Sequence, residues 1–199
     1  MDDISTSALL IALGILIALS AYFSSSETGM MSINRYRLKH LQGEGHRGAN
    51  RVQKLLDRPD RLIGLILIGN NLVNIAASAI ATIICTRLFG EYWAVFATTI
   101  GLTIVLLIFA EVTPKTLAAL YPEKIAFPSS IILSPLLKVL YPFVAFINGI
   151  TNGILAILRI RPHDGAGDSL SREELRTVVY EAGTMIPKKH QDMLVSILD

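Results

Sequence analysis

Residues 62–86, "LIGLILIGNNLVNIAASAIATIICT", contain no charged side chain over 25 positions. At about 1.5 Å of rise per residue such a run crosses the roughly 30 Å hydrocarbon core of a bilayer. In lipid every backbone N–H and C=O must be satisfied within the segment or by a closed barrel. A long apolar run without alternation therefore predicts a membrane helix. Two more runs of this kind lie at about 6–32 and about 93–118. They explain why 52% of the chain is hydrophobic and only 17% charged, against about 25% charged in soluble domains. The expected fold is all-α: a membrane protein of three transmembrane helices, a broken juxtamembrane or re-entrant helix, and further cytoplasmic helices.

The first run is preceded by Asp2 and Asp3 rather than a basic region, and no A-x-A site follows it. That predicts a permanent helix, not a cleaved signal. Cys85 is the single cysteine, so no internal disulfide forms, and it reads as a small core residue. His40, His46, His163 and His190 fall in polar segments and read as solvated side chains rather than ligands.

Between the first two runs, 34–61 holds eight basic residues: Arg35, Arg37, Lys39, Arg47, Arg51, Lys54, Arg58 and Arg61. The positive-inside rule assigns that segment to the cytoplasm. The N-terminus and the "LFGEYW" turn are then outside, and the third span returns inside at Lys115. The basic stretch reads as a topology signal and an anionic-lipid contact, with no nucleic-acid partner expected. A fourth apolar stretch, 125–160, carries Pro128, Pro135 and Pro142 every seven residues, with Lys138 among them. Lipid-facing helices tolerate this poorly, so a broken, re-entrant or interfacial belt is expected, although a two-helix hairpin satisfies the topology too. Beyond it, 161–199 reads as the start of a cytoplasmic helical region, with a capping box at Ser171 and Glu174. A helix restarted at Pro187 still runs at Asp199, which reads as part of a longer protein.

Each span carries polar residues where they are costly: Ser20, Ser24, Ser25, Ser26 and Glu27 in the first, Asn70, Asn71 and Asn74 in the second, Glu111 in the third. Asn70 and Ser26 each lie nine residues from a flanking arginine, about 13 Å inside the boundary. Glu111 lies four residues from Lys115, which can snorkel outward. All three clusters thus fall at one depth in the inner half of the bilayer. Ser20 and Ser24 share a face, as do Asn70 and Asn74, while Asn71 points about 100° away and reads as structural. Pro114 has no N–H for the Ala110 carbonyl four residues earlier. That carbonyl is left beside a carboxylate, and freed backbone at membrane depth belongs where it lines a cavity or finds another partner. Hydroxyl, amide, carboxylate and carbonyl oxygens without thiolate or imidazole suit Mg²⁺, Ca²⁺ or Na⁺. Plainer readings stand beside this one. Serines pack membrane helices, asparagines bond between them, and Glu27 can pair with a basic residue. Glu111 is hardest to read as structural, because intramembrane acids mark functional sites. No nucleophile–base pair, phosphate loop or metalloprotease motif points to an enzyme.

The stretches "SAYFSSSETGMMSINRYRL", "RLIGLILIGNNLVNIAASAIAT", "FAEVTPKTLAALYPEKIA" and "SLSREELRTVV" resemble, in order and spacing, the CorB/CorC magnesium transport proteins of bacteria and the animal cyclin M proteins. The resemblance is closest to the CorB type and implies the inner membrane of a Gram-negative bacterium. It implies three membrane helices and a belt helix working as a homodimer. It also implies a dehydrated Mg²⁺ in an inward-facing cavity, held by Ser20, Ser24, Asn70, Asn74, Glu111 and a backbone carbonyl near Ala110. Sodium is implied as the driving ion, and Mg-ATP is expected only at CBS domains beyond these residues. The family often has glycine where Ser25 and Ala110 stand here, so unwinding near Ala110 can differ. The reading is Mg²⁺ transport, directed outward from the cytoplasm. Its alternative is a membrane-anchored Mg²⁺ sensor through which nothing crosses.

Overall fold

The computed structural model describes residues 5–158, the side chain of Asn152 excepted, and every element in that range is helical. Two compact units divide at 151/152, and the packing described here is that of the first. The capping box at Ser171 and the helix restart at Pro187 lie outside the described residues.

Helix α1, Thr6–Ser32, starts where the Ser5 hydroxyl accepts the Ala8 N–H at 3.3 Å and ends as Ile33 turns extended. Two short helices follow. In α2, Arg35–Gly43, the Asn34 side chain accepts the Arg37 N–H. In α3, Arg47–Leu56, the cap is the imidazole of His46, which accepts the Ala49 N–H at 3.1 Å. One of the four histidines expected to be solvated thus has a structural role that its polar surroundings did not reveal. Helix α3 buries Gly48, Ala49, Val52, Leu55 and Leu56 and leaves Lys54 exposed.

Helix α4, Pro59–Val105, opens on a proline in its first turn, where the missing N–H does no harm. It is interrupted at Gly90, with φ 75° and ψ 168°, a conformation open to glycine and little else. The break folds it into limbs 59–89 and 91–105. A π-helical segment, Leu106–Val112, continues the second limb into α5, Thr113–Leu120. The spans expected at 62–86 and 93–118 are therefore the two arms of one hairpin whose turn is a single residue.

Among the described residues three helices are long and apolar enough to cross a membrane: Thr6–Ser32, the hairpin Pro59–Leu120, and α6, Pro122–Ile157. The segment expected to break runs as one helix with Pro128, Pro135 and Pro142 inside it. Prolines seven residues apart, two turns, fall on one side of a helix. The bonds they delete, to the carbonyls of Lys124, Ile131 and Lys138, therefore weaken one edge rather than the whole circumference.

Contacts of α6 place it across one end of the bundle. Ile125 lies against Gly29 near the end of α1, Phe127 against Gly48 in α3, and Val144 and Asn148 against Gly64 near the start of α4. Asn148 donates to Asp60 at 3.3 Å, Arg61 lies 5.0 Å from the Tyr141 ring, and Arg37 pairs with Glu123. The core sits at this end too, built from Met30, Leu38, Val52, Leu62, Leu65, Ile66, Leu133 and Val144. Away from it, apolar side chains such as Ile11, Ile15, Leu72, Ile75 and Phe109 point outward, as they must in a lipid solvent.

Candidate ion site among three helices

The antiparallel course of α1 and the first limb of α4 is fixed by what meets. Ser20 faces Asn70 and Asn74, Phe23 faces Gly69, and Leu13 and Ile17 share a cavity with Ala81 and Ile84. Gly69 is needed there. A Cβ on it would stand 2.6 Å from Phe23 Cζ and 2.7 Å from Cε1, well inside contact distance. The second limb of the hairpin therefore runs parallel to α1.

Ser20, Ser24 and Ser26 are wholly buried, but they do three different things. Ser20 Oγ lies 2.9 Å from Asn70 Oδ1 and 2.7 Å from Asn74 Oδ1. A hydroxyl has one proton and can donate to one of those oxygens at a time. The cluster therefore holds three oxygens with too few protons among them. Ser24 Oγ, one turn further along the same face, has no hydrogen-bond partner. Leaving a buried hydroxyl unsatisfied costs about 1–3 kcal/mol. Ser26 donates to Ser129 Oγ at 2.9 Å, and Tyr22 donates to the Ser129 carbonyl at 3.1 Å. These two bonds tie α1 to the belt rather than to the site. Ser25 bonds back to the Tyr22 carbonyl, and Asn71 donates to the Leu67 carbonyl. Both are local, as the helical angle of Asn71 implied.

The third helix supplies the acid. Lys115 lies 3.8 Å from Glu27 across the α1–α5 contact, so the basic partner considered for Glu27 is Lys115. The π-helical segment Leu106–Val112, which carries Glu111, packs against α1 as well. Glu111 is half-buried and makes no hydrogen bond or ion pair with another described residue. Ala110, next to it, is fully buried. The π register changes the backbone accounting. Thr113 N–H donates to the Ile108 carbonyl, five residues back. The Phe109 carbonyl thereby loses Thr113 as its α-type donor, and its π-type donor would be Pro114, which has no N–H. The Ala110 carbonyl loses Pro114 as its α-type donor and keeps only Lys115. The sequence pointed to one freed carbonyl, and the wider turn involves two. Single π-turns of this kind recur at functional sites.

Among the described residues no three His, Cys, Asp or Glu side chains come together. The polar set is hydroxyl, amide and carbonyl oxygen with one carboxylate. On the far side of it, toward Gly90, lies an apolar cavity of about 160 Å³. It is lined by Leu13, Ile17, Ala81, Cys85, Thr98 and Gly101, among others, and Thr98 Oγ1 there is buried without a partner.

Three apolar spans clasped at one end by a belt helix, with an oxygen-lined polar cluster between them, define an α-helical membrane domain with an intramembrane polar site. A family model described as the cyclin M transmembrane N-terminal domain matches residues 10–187, and the chain belongs to that family. It is 54% identical over its whole length to the UPF0053 inner membrane protein YfjD of Escherichia coli, covering 46% of that protein. It is 50% identical to a UPF0053 protein of Haemophilus influenzae, covering 47%. A polyamine export protein of Haemophilus influenzae is 29% identical over 91% of this chain, which covers 45% of that protein. The chain thus spans about half the length of these relatives.

Proposed function

We propose that this domain carries Mg²⁺ across the inner membrane, outward from the cytoplasm, in a homodimer with the basic 35–61 segment inside. The observation that carries the reading is the proton-poor oxygen cluster of Ser20, Asn70 and Asn74, with the orphaned Ser24 hydroxyl one turn away. Oxygens crowded together without enough donors repel one another, and a cation between them relieves this. Mg²⁺ takes six oxygens at about 2.0–2.1 Å in octahedral geometry. Ser20, Ser24, Asn70, Asn74, a carbonyl at Ala110 and the Glu111 carboxylate offer six. Glu111 supplies the charge that replaces hydration. Sodium moving inward is the proposed driving force. A polyamine is a long polycation that calls for several spaced carboxylates. The single unpaired acid at this site, with no three acidic or imidazole groups together among the described residues, favours a compact divalent ion.

The test is Mg²⁺ flux in proteoliposomes of the full-length protein, wild type against Glu111→Ala, with and without a sodium gradient. Flux that the substitution abolishes supports the reading. Mg²⁺ binding and flux unchanged by Glu111→Ala would sink it. Binding retained in a wild type that carries no flux would replace the carrier with a Mg²⁺ sensor.

A further inference from the structure

Among described residues of the polar half of the spans, three side chains are charged: Glu27, Glu111 and Lys115. We propose that Lys115 is a tethered counter-ion that alternates between Glu27 and Glu111 as the transported ion arrives and leaves. This rests on the Mg²⁺ reading above and extends it.

Three features of the geometry carry the proposal. Lys115 Nζ lies 3.8 Å from Glu27 Oε2. That is ion-pair distance but beyond the roughly 2.7–3.2 Å of a formed N–H···O bond. The ammonium is attracted there without being locked. Glu111 sits four residues before Lys115, about one turn away on the continuous run from the π-helical segment into α5. The four-carbon stem of lysine spans that gap easily. Glu111 has no partner of its own among the described residues, whereas Glu27 has only Lys115.

With Mg²⁺ at Glu111, like charges repel and Lys115 rests on Glu27. With the site empty, the Glu111 carboxylate would stand uncompensated in an apolar bundle, where a lone charge is costly. Moving Lys115 onto Glu111 removes that charge and lets the empty site change its exposure. Glu27 is then the resting place that keeps Lys115 from competing with the ion, and Lys115 is a positioning residue, not a ligand.

The test uses the full-length protein in detergent and in liposomes, with Mg²⁺ affinity measured by calorimetry and flux by a Mg²⁺-sensitive dye. Glu27→Gln frees Lys115 to sit on Glu111, and Mg²⁺ binding weakens about tenfold or more. Lys115→Met removes the competitor, so binding tightens while flux falls. In the double variant Glu27→Gln/Lys115→Met the loss caused by Glu27→Gln disappears. A fixed structural pair would give another pattern, with both single variants lowering the melting temperature and no opposed shifts in affinity. Affinity changes of the same sign, or none, overturn the proposal. Glu111→Ala separates the two levels. If it leaves binding intact the Mg²⁺ reading itself fails; if it abolishes binding but the opposed shifts are missing, only the role of Lys115 fails.

Discussion

Gly69→Ala adds one methyl group to this chain, directly beneath the Phe23 ring. The new Cβ would meet Cζ at 2.6 Å, Cε1 at 2.7 Å and Cε2 at 3.0 Å, where carbon atoms prefer about 3.5–4.0 Å. Relief requires roughly an ångström of movement. Phe23 is 8% exposed and packed in the core, so the ring cannot simply swing into open space. Overpacking of this kind costs about 1–3 kcal/mol. Exchanging glycine for alanine inside a helix returns about 0.8–1 kcal/mol. The net expectation is a loss of about 0–2 kcal/mol of stability. The larger effect is geometric. Ser20 lies one turn from Phe23, and its oxygen contacts at 2.7 and 2.9 Å to Asn74 and Asn70 do not survive an ångström of separation between α1 and α4. Mg²⁺ flux should therefore fall far more than stability does. Thermal unfolding in detergent and flux in liposomes measure the two separately, and Phe23→Leu on the Gly69→Ala background should recover part of the flux by vacating the space. A Gly69→Ala protein that is more stable by the full helix-propensity gain and transports normally would refute the packing argument.

Two buried hydroxyls without partners make a paired comparison. Ser24→Ala and Thr98→Val each remove an orphan, and each should raise stability by about 1 kcal/mol in thermal unfolding. Only Ser24→Ala should weaken Mg²⁺ binding, because Thr98 lies in the apolar cavity and not among the oxygens. The clasp between α1 and the belt gives a double-mutant cycle. Ser26→Ala and Ser129→Ala should each cost about 1–2 kcal/mol, because each leaves the other hydroxyl of the 2.9 Å bond buried without its partner, and the double variant, which removes both, should cost less than either alone.

Length and hydropathy carried most of the fold. The first span was legible at both ends, Thr6–Ser32, because its polar flanks are abrupt. The hairpin was legible because "LFGEYW" interrupts two apolar runs. The π register was not. Pro114 shows that a backbone bond must fail, but where the slack goes depends on how α1 packs against 106–112, which no local pattern records. The belt was legible in place but not in form. Proline rules describe single breaks, and three prolines on one side leave the opposite edge of α6 intact. In the site, the pairing of Ser20 with Asn70 and Asn74 follows from depth and helical angle. Ser26 looked like Ser20 and Ser24 in the sequence, and only the path of α6 shows that it serves Ser129. Lys115 read as a snorkelling end until Glu27 was found opposite it.

The one-residue turn at Gly90 has a kinematic consequence. Two helices joined by a long loop can slide past each other by a turn, drawing on slack in the connection. Here there is none: the helix stops at Phe89 and resumes at Glu91. Arms 59–89 and 91–120 are thus coupled like the prongs of a fork, free to flex apart at their open end but unable to shear. The open end is where Asn70, Asn74 and Glu111 sit. Any cycle of exposure in this bundle must then come from the prongs spreading or from α1 moving against both together. Ala81 and Gly101, which face the same cavity near the turn, keep their separation in either case, so a cross-link between them should leave transport intact while one placed between α1 and either prong near Asn70 should stop only the second kind of motion.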